Sequence, residues 1–138
     1  IHGGLWFANV MAAYKKCSEV DGINPFKEPV IIDFMASKKF SYYKVNACPT
    51  LTKSRCSTFG YWCSTKGGPL DIGEITLLQG FSVGDIDWKG AGLTAAQFGG
   101  CMRNAMSLNV VKALLPHLLY MSKKITKAEF DTCSQRVL

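Results

Sequence analysis

The sequence predicts a mixed α/β fold in a single domain, with short strands in its first half and flanking helices in its second. Runs rich in β-branched and aromatic residues, punctuated by Gly and Pro, fall between residues 30 and 65. Helix-start signatures open at Asp71, Thr94 and Thr126, in the second half. The chain has 138 residues, 48% of them hydrophobic, enough apolar surface to offset the entropy of ordering.

Residues 5–17, "LWFANVMAAYKKC", read as a helix with Leu5, Trp6, Ala8, Val10, Ala12, Ala13 and Cys17 as its apolar candidates. A turn-rich connector, "VDGINPFKEP", follows to Pro29, so residues 1–29 form an N-terminal helix and connector. "VIIDF" (30–34) is a strand, "FSYYKV" (40–45) a second, and "STFGYWCST" (57–65) a third, split by Gly60. Residues 49–55 lie between strands, and "KGGPL" (66–70) reads as a loop. Asp71 with Glu74, Thr94 with Gln97, and Thr126 with Glu129 form capping boxes, in which a short side chain accepts from a first-turn amide while the longer one reaches back. Residues 80–93 form a loop, where Asp85 and Asp87 beside Trp88 suit turns better than paired catalytic carboxylates. The longest helix is expected from about Ser107 to Met121. Pro116 should kink it or end its first half, because its ring clashes with the carbonyl of Lys112 and offers no amide. The stripe Met106, Val110, Ala113, Leu114 and Leu118 reads as core.

Sixteen basic side chains against ten acidic give a formal charge of +6. That balance suits nucleic acid or an anionic membrane or protein surface, and equally suits simple solubility. No run of 18 apolar residues occurs, so no transmembrane segment is expected. Six cysteines at irregular spacings, with no C-x-x-C pair, argue for free thiols in a reducing compartment. His2 and His117 are too few and too far apart to suggest a metal site. The opening stretch lacks the basic start of a signal peptide, and a first residue of Ile is expected of a chain processed or cut from something longer.

Three stretches, in order, resemble the C-terminal portion of the DNA (cytosine-5) methyltransferases. "CPTLTKSR" (48–55) looks like the Pro-Thr-Leu-Thr segment beyond the target-recognition region. "LDIGEITLLQGF" (70–81) is similar to the helix that follows it in that family. "QFGGCMRNAMSLNVVKALLPHLL" (97–119) resembles the final motif, where Gly-Asn-Ser/Ala leads into the last helix of the catalytic domain. The resemblance covers roughly residues 30–121, leaving residues 122–138 as a separate C-terminal helix. It implies that Asn104 and Ala105 help hold the methionine end of S-adenosylmethionine, since a turn at a helix start offers amides and a positive dipole end to a carboxylate.

The pattern is degenerate. Arg103 stands where the family has Gly, Gly73 and Leu77 where it has Arg, and Ser82 where it has Pro. Cys48 precedes Pro49, the reverse of the family's catalytic Pro-Cys loop. No Glu-Asn-Val segment, Gly-rich cofactor turn or Gln-x-Arg-x-Arg strand occurs. Attack on cytosine needs a flipped base in a complete pocket, so no catalytic residue is assigned to this chain. S-Adenosylmethionine would be expected only with the missing half supplied.

Lys53 and Arg55, with Lys44, Tyr42 and Tyr43, are candidates for a basic, aromatic nucleic-acid or anion contact, as is Arg103. The alternative is a solvated edge with partly buried tyrosines. The expectation is a non-catalytic binding or structural subunit on a degenerate methyltransferase scaffold, docking on nucleic acid or within a larger, possibly organellar or membrane-surface, assembly. The alternative is the C-terminal fragment of an active enzyme, for which the nucleus would be the expected location.

Overall fold

The computed structural model describes residues 3–37, 42–82 and 84–135. Its architecture is mixed α/β, with six helices and a four-stranded antiparallel sheet among the described residues. The elements run α1 (Gly3–Glu19), β1 (Val30–Asp33), β2 (Tyr43–Val45), α2 (Lys53–Thr58), β3 (Tyr61–Cys63), β4 (Gly68–Pro69), α3 (Ile72–Leu78), α4 (Ala95–Met102), α5 (Leu108–Met121) and α6 (Lys127–Gln135).

The strand order is β2-β1-β3-β4, which places β1 in the interior of the sheet. Its four residues are all buried because apolar material covers both of its faces. Val30 and Ile32 pack with Val10, Ala13 and Cys17 of α1, while Ile31 joins Cys56, Tyr61, Leu70, Ile75, Phe98 and Met102 on the other side. A strand covered on both faces needs a continuous apolar run rather than alternation, and "VIID" supplies most of one. Helix α1 is seated by a polar clasp as well: the buried Asn9 amide donates to the carbonyls of Phe34 and Ala36, each at 2.9 Å. Leaving those groups unpaired would cost about 1 to 3 kcal/mol.

The three capping boxes form. Asp71 and Glu74 close reciprocally at the start of α3, Thr94 and Gln97 at α4, and Thr126 and Glu129 at α6. Several expectations need correction. Residues 53–58 form helix α2, and the third strand shortens to Tyr61–Cys63. Phe59, left-handed at φ 54°, ends α2 and turns the chain into β3. The expected loop at 66–70 contains β4, which pairs Pro69 with Trp62 and Gly68 with Cys63. The second strand is seen over Tyr43–Val45, and residues 40 and 41 of its expected span lie outside the described residues, as does His2. The longest helix is α1 rather than α5. Pro116 does not end α5, which continues to Met121.

The largest correction concerns the stripe on α5. Val110, Leu114 and Leu118 are 48%, 55% and 61% exposed, and Met106 on the preceding turn is 68% exposed. Periodicity shows that a helix has an apolar face, but the covering element must be found elsewhere, and among the described residues none covers that face. Helix α6 covers a different side, where Phe130 packs edge-on against His117 and stacks on Tyr120.

Candidate functional site

The three stretches that carry the resemblance meet at one place. Cys48, Pro49, Thr50 and Leu51 from the first, Leu78 and Gln79 from the second, and Arg103 from the third line a single open groove. It is adjoined by a second groove lined by Thr50, Leu51, Thr52, Lys53, Ser54, Ser57 and Arg103.

Each wall has a local cause. The buried Tyr61 side chain reaches under the first stretch, where its hydroxyl donates to the Thr50 carbonyl at 2.7 Å and accepts from the Thr52 amide at 3.0 Å. Burial pushes the Tyr61 phenol up to about 12, against the lowering effect of the hydrogen bonds from Thr52. Helix α2 lies against α4 because α4 presents glycine there. A Cβ on Gly99 would collide with the Cys56 carbonyl oxygen and sit 2.9 Å from its carbon, and one on Gly100 would lie 3.1 Å from Ser57 Oγ. The Leu-Gln-Gly of the second stretch holds the α4–α5 connector. Gln79 Nε2 donates to the Met102 carbonyl at 3.0 Å, and the Leu108 amide donates to the Gln79 carbonyl at 2.8 Å. Gly80, at φ 84°, lets the chain turn beneath Asn109, whose Oδ1 would lie 2.8 Å from any Cβ there.

Two cations share the second groove, Lys53 and Arg103, and among the described residues neither makes an ion pair. The Arg103 Nη1 donates to Asn104 Oδ1 at 3.0 Å, which orients the guanidinium. Thr50, Thr52, Ser54 and Ser57 supply hydroxyls along the same walls. Such a set suits an anion: two positive charges for the Coulomb term and short neutral donors for its remaining oxygens.

The other two cations stand elsewhere. Arg55 Nε donates to Asp33 Oδ1 at 2.7 Å, with the two side chains only 22% and 12% exposed. This ties α2 to the end of β1: the charge expected to contact a partner's anion is directed at a carboxylate of this chain, and Arg55 lines neither groove. Lys44 is exposed on β2, opposite Ile31, and lines neither groove. Tyr43 bonds Asp21 through its hydroxyl and lies beneath Lys16, so the expected aromatic surface is partly committed to internal contacts.

Asn104 and Ala105 follow the end of α4, not the start of a helix. Their amides donate to the carbonyls of Cys101 at 2.9 Å and Met102 at 3.2 Å. The two donors that such a turn would offer a methionine carboxylate are therefore used within the turn, at the negative end of the α4 dipole. As it stands the turn does not fit that group; the donors that face outward nearby are the Asn104 side-chain amide and Arg103. Burial, and then the neighbouring Cys56 and Asp33, push the Cys48 thiol up to about 12, away from the reactive thiolate.

All six cysteines are free, and among the described residues no group of three or more His, Cys, Asp or Glu could hold a metal ion. Asp85 accepts from the Ser82 amide and Asp87 from the Gly90 amide, so both acids make turns. No helix of the described residues is long and apolar enough to cross a membrane. No family model, curated protein or solved structure matches the chain.

Proposed function

We propose that this chain is a non-catalytic binding subunit, built on a degenerate scaffold similar to the C-terminal portion of the DNA (cytosine-5) methyltransferases, whose groove between Thr50–Ser57 and Arg103 receives an anionic partner. Nucleic acid is the class it suits best, because phosphate contacts need cations and short hydroxyl donors on an open surface rather than a closed pocket. The observation that carries the reading is the meeting of Lys53 and Arg103, remote in sequence and free of acidic partners among the described residues, on one hydroxyl-lined groove.

Fluorescence anisotropy of a labelled duplex DNA of about 20 base pairs, titrated across a range of salt, tests it. Lys53→Ala and Arg103→Ala should each weaken binding and each reduce the salt slope by about one. Lys44→Ala should leave both unchanged. Equal losses at all three positions would mean a diffuse charge effect and would remove the groove from the account.

The second reading, a fragment of an active methyltransferase, draws on the convergence of the three stretches at the groove that includes Gln79 and Arg103. Its test is calorimetric titration with S-adenosylmethionine. Saturable binding lost in Asn104→Ala would favour it over the non-catalytic reading.

A further inference from the structure

Helix α5 is rich in apolar side chains, and it stands largely uncovered. Its sequence, "LNVVKALLPHLLYM", places Val110, Leu114, Leu118 and Met121 along one stripe at steps of four, four and three residues. These four are 48%, 55%, 61% and 78% exposed, and Leu115 beside them is 46% exposed. Pro116 is the one buried residue of the helix. A helix this apolar is ordinarily buried, and a continuous exposed apolar stripe marks an interaction site.

Charge narrows what can cover it. No acidic side chain occurs between Asp87 and Glu129. The six cations of that stretch, Lys89, Arg103, Lys112, Lys123, Lys124 and Lys127, equal the whole formal excess of +6, and the rest of the chain is balanced at ten of each sign. Within α5 the one cation is Lys112, in the first half of the helix, and two more stand just past its C-terminal end. Lys123 and Lys124 follow the last turn, folded back by amide donation to the Tyr120 and Leu119 carbonyls, and they line one open groove with Met121. Neither makes an ion pair among the described residues, whereas Lys127 is paired with Asp131 at 2.7 Å.

We infer that the outer face of α5 is a docking helix for a second, different protein, whose apolar groove takes Val110, Leu114, Leu118 and Met121 and whose acidic side chains meet Lys123 and Lys124. The spacing is that of an amphipathic helix laid into a groove. A second copy of this chain fits less well. Its own α5 offers no acid, and the nearest acids that follow, Glu129 and Asp131, are engaged with Thr126 and Lys127. A bilayer surface fits less well too, because interfacial helices carry several cations along a charged face, whereas α5 carries one, Lys112, and the pair Lys123 and Lys124 lies past one end.

The test uses the full chain in an extract of its source cells, with a benzophenone photocrosslinking residue replacing Leu114, and separately with a carbodiimide that joins amines to carboxylates. The expected result is one second polypeptide in both products, joined to the Leu114 position through apolar residues and to Lys123 or Lys124 through Asp or Glu. Leu114→Glu with Leu118→Glu should reduce the carbodiimide product at least tenfold while the purified chain keeps its circular-dichroism melting curve. Should that variant fail to fold, Lys123→Glu with Lys124→Glu serves instead, and both products should fall. Products joining two copies of this chain, no protein product at all, or flotation with phosphatidylglycerol vesicles that depends on Leu114 would each overturn the inference.

Discussion

Arg55 separates a cation that holds the fold from the cations proposed to receive an anion. Replacing it as Arg55→Met keeps the length of the stem and removes the guanidinium from Asp33 Oδ1. A hydrogen bond between charged groups contributes about 1.5 to 3 kcal/mol. With both side chains less than a quarter exposed, water cannot replace the contact freely, so the upper part of that range applies, about 2 to 3 kcal/mol. For a domain of this size, at roughly 3 °C per kcal/mol, the melting temperature should fall by about 6 to 9 °C. Thermal denaturation followed by circular dichroism measures it, alongside Asp33→Asn and the double variant, whose combined loss should be smaller than the sum of the two. DNA affinity of the folded Arg55→Met variant should stay within twofold of the parent. An unchanged melting temperature together with a severalfold loss of affinity would refute the reasoning, because it would return Arg55 to the binding surface.

Gly99→Ala should destabilise the chain by about 1 to 3 kcal/mol, since the new methyl meets the Cys56 backbone rather than a side chain that can swing away; urea denaturation reads the change, and a neutral result would mean that α2 and α4 are not packed as described. Alkaline pH should also destabilise the fold. Burial raises the thiols of Cys17, Cys48 and Cys56 and the phenol of Tyr61, so the folded chain holds protons that the unfolded chain releases. Their stabilising contribution is complete below the ordinary thiol value of 9.0 and is lost as pH rises toward about 12. At pH 8, exposed Cys101 and Cys133 should react with a maleimide first and Cys48 far more slowly, as peptide mapping would show.

What the sequence made legible was local or repetitive. The capping boxes at Asp71, Thr94 and Thr126 depend on atoms three residues apart, so residue types alone reveal them. The run from Val30 reads as a strand because both faces are apolar. Helix α2 was not legible, since Ser, Thr and Cys are poor helix formers and its place is fixed by two glycines more than forty residues away. Strand β4 has two residues, too few for any pattern, and exists through its pairing with β3.

The same division runs through the candidate site. Lys53 and Arg103 could be named as cations, but their meeting on one groove is a tertiary fact. Arg55 read as a partner contact because its carboxylate, Asp33, lies 22 residues upstream on another element. The α5 stripe read as core because periodicity reports an apolar face without reporting what covers it.

The central claim is that the anion seats between Thr50–Ser57 and Arg103. Backbone NMR of the isotopically labelled chain, titrated with a short DNA duplex, tests it most directly. The perturbed amides should cluster at Thr50–Ser57 and around Arg103 and Asn104, and the perturbations should fade as salt is raised. Perturbations centred on Lys44 and β2, or none at all, would contradict it.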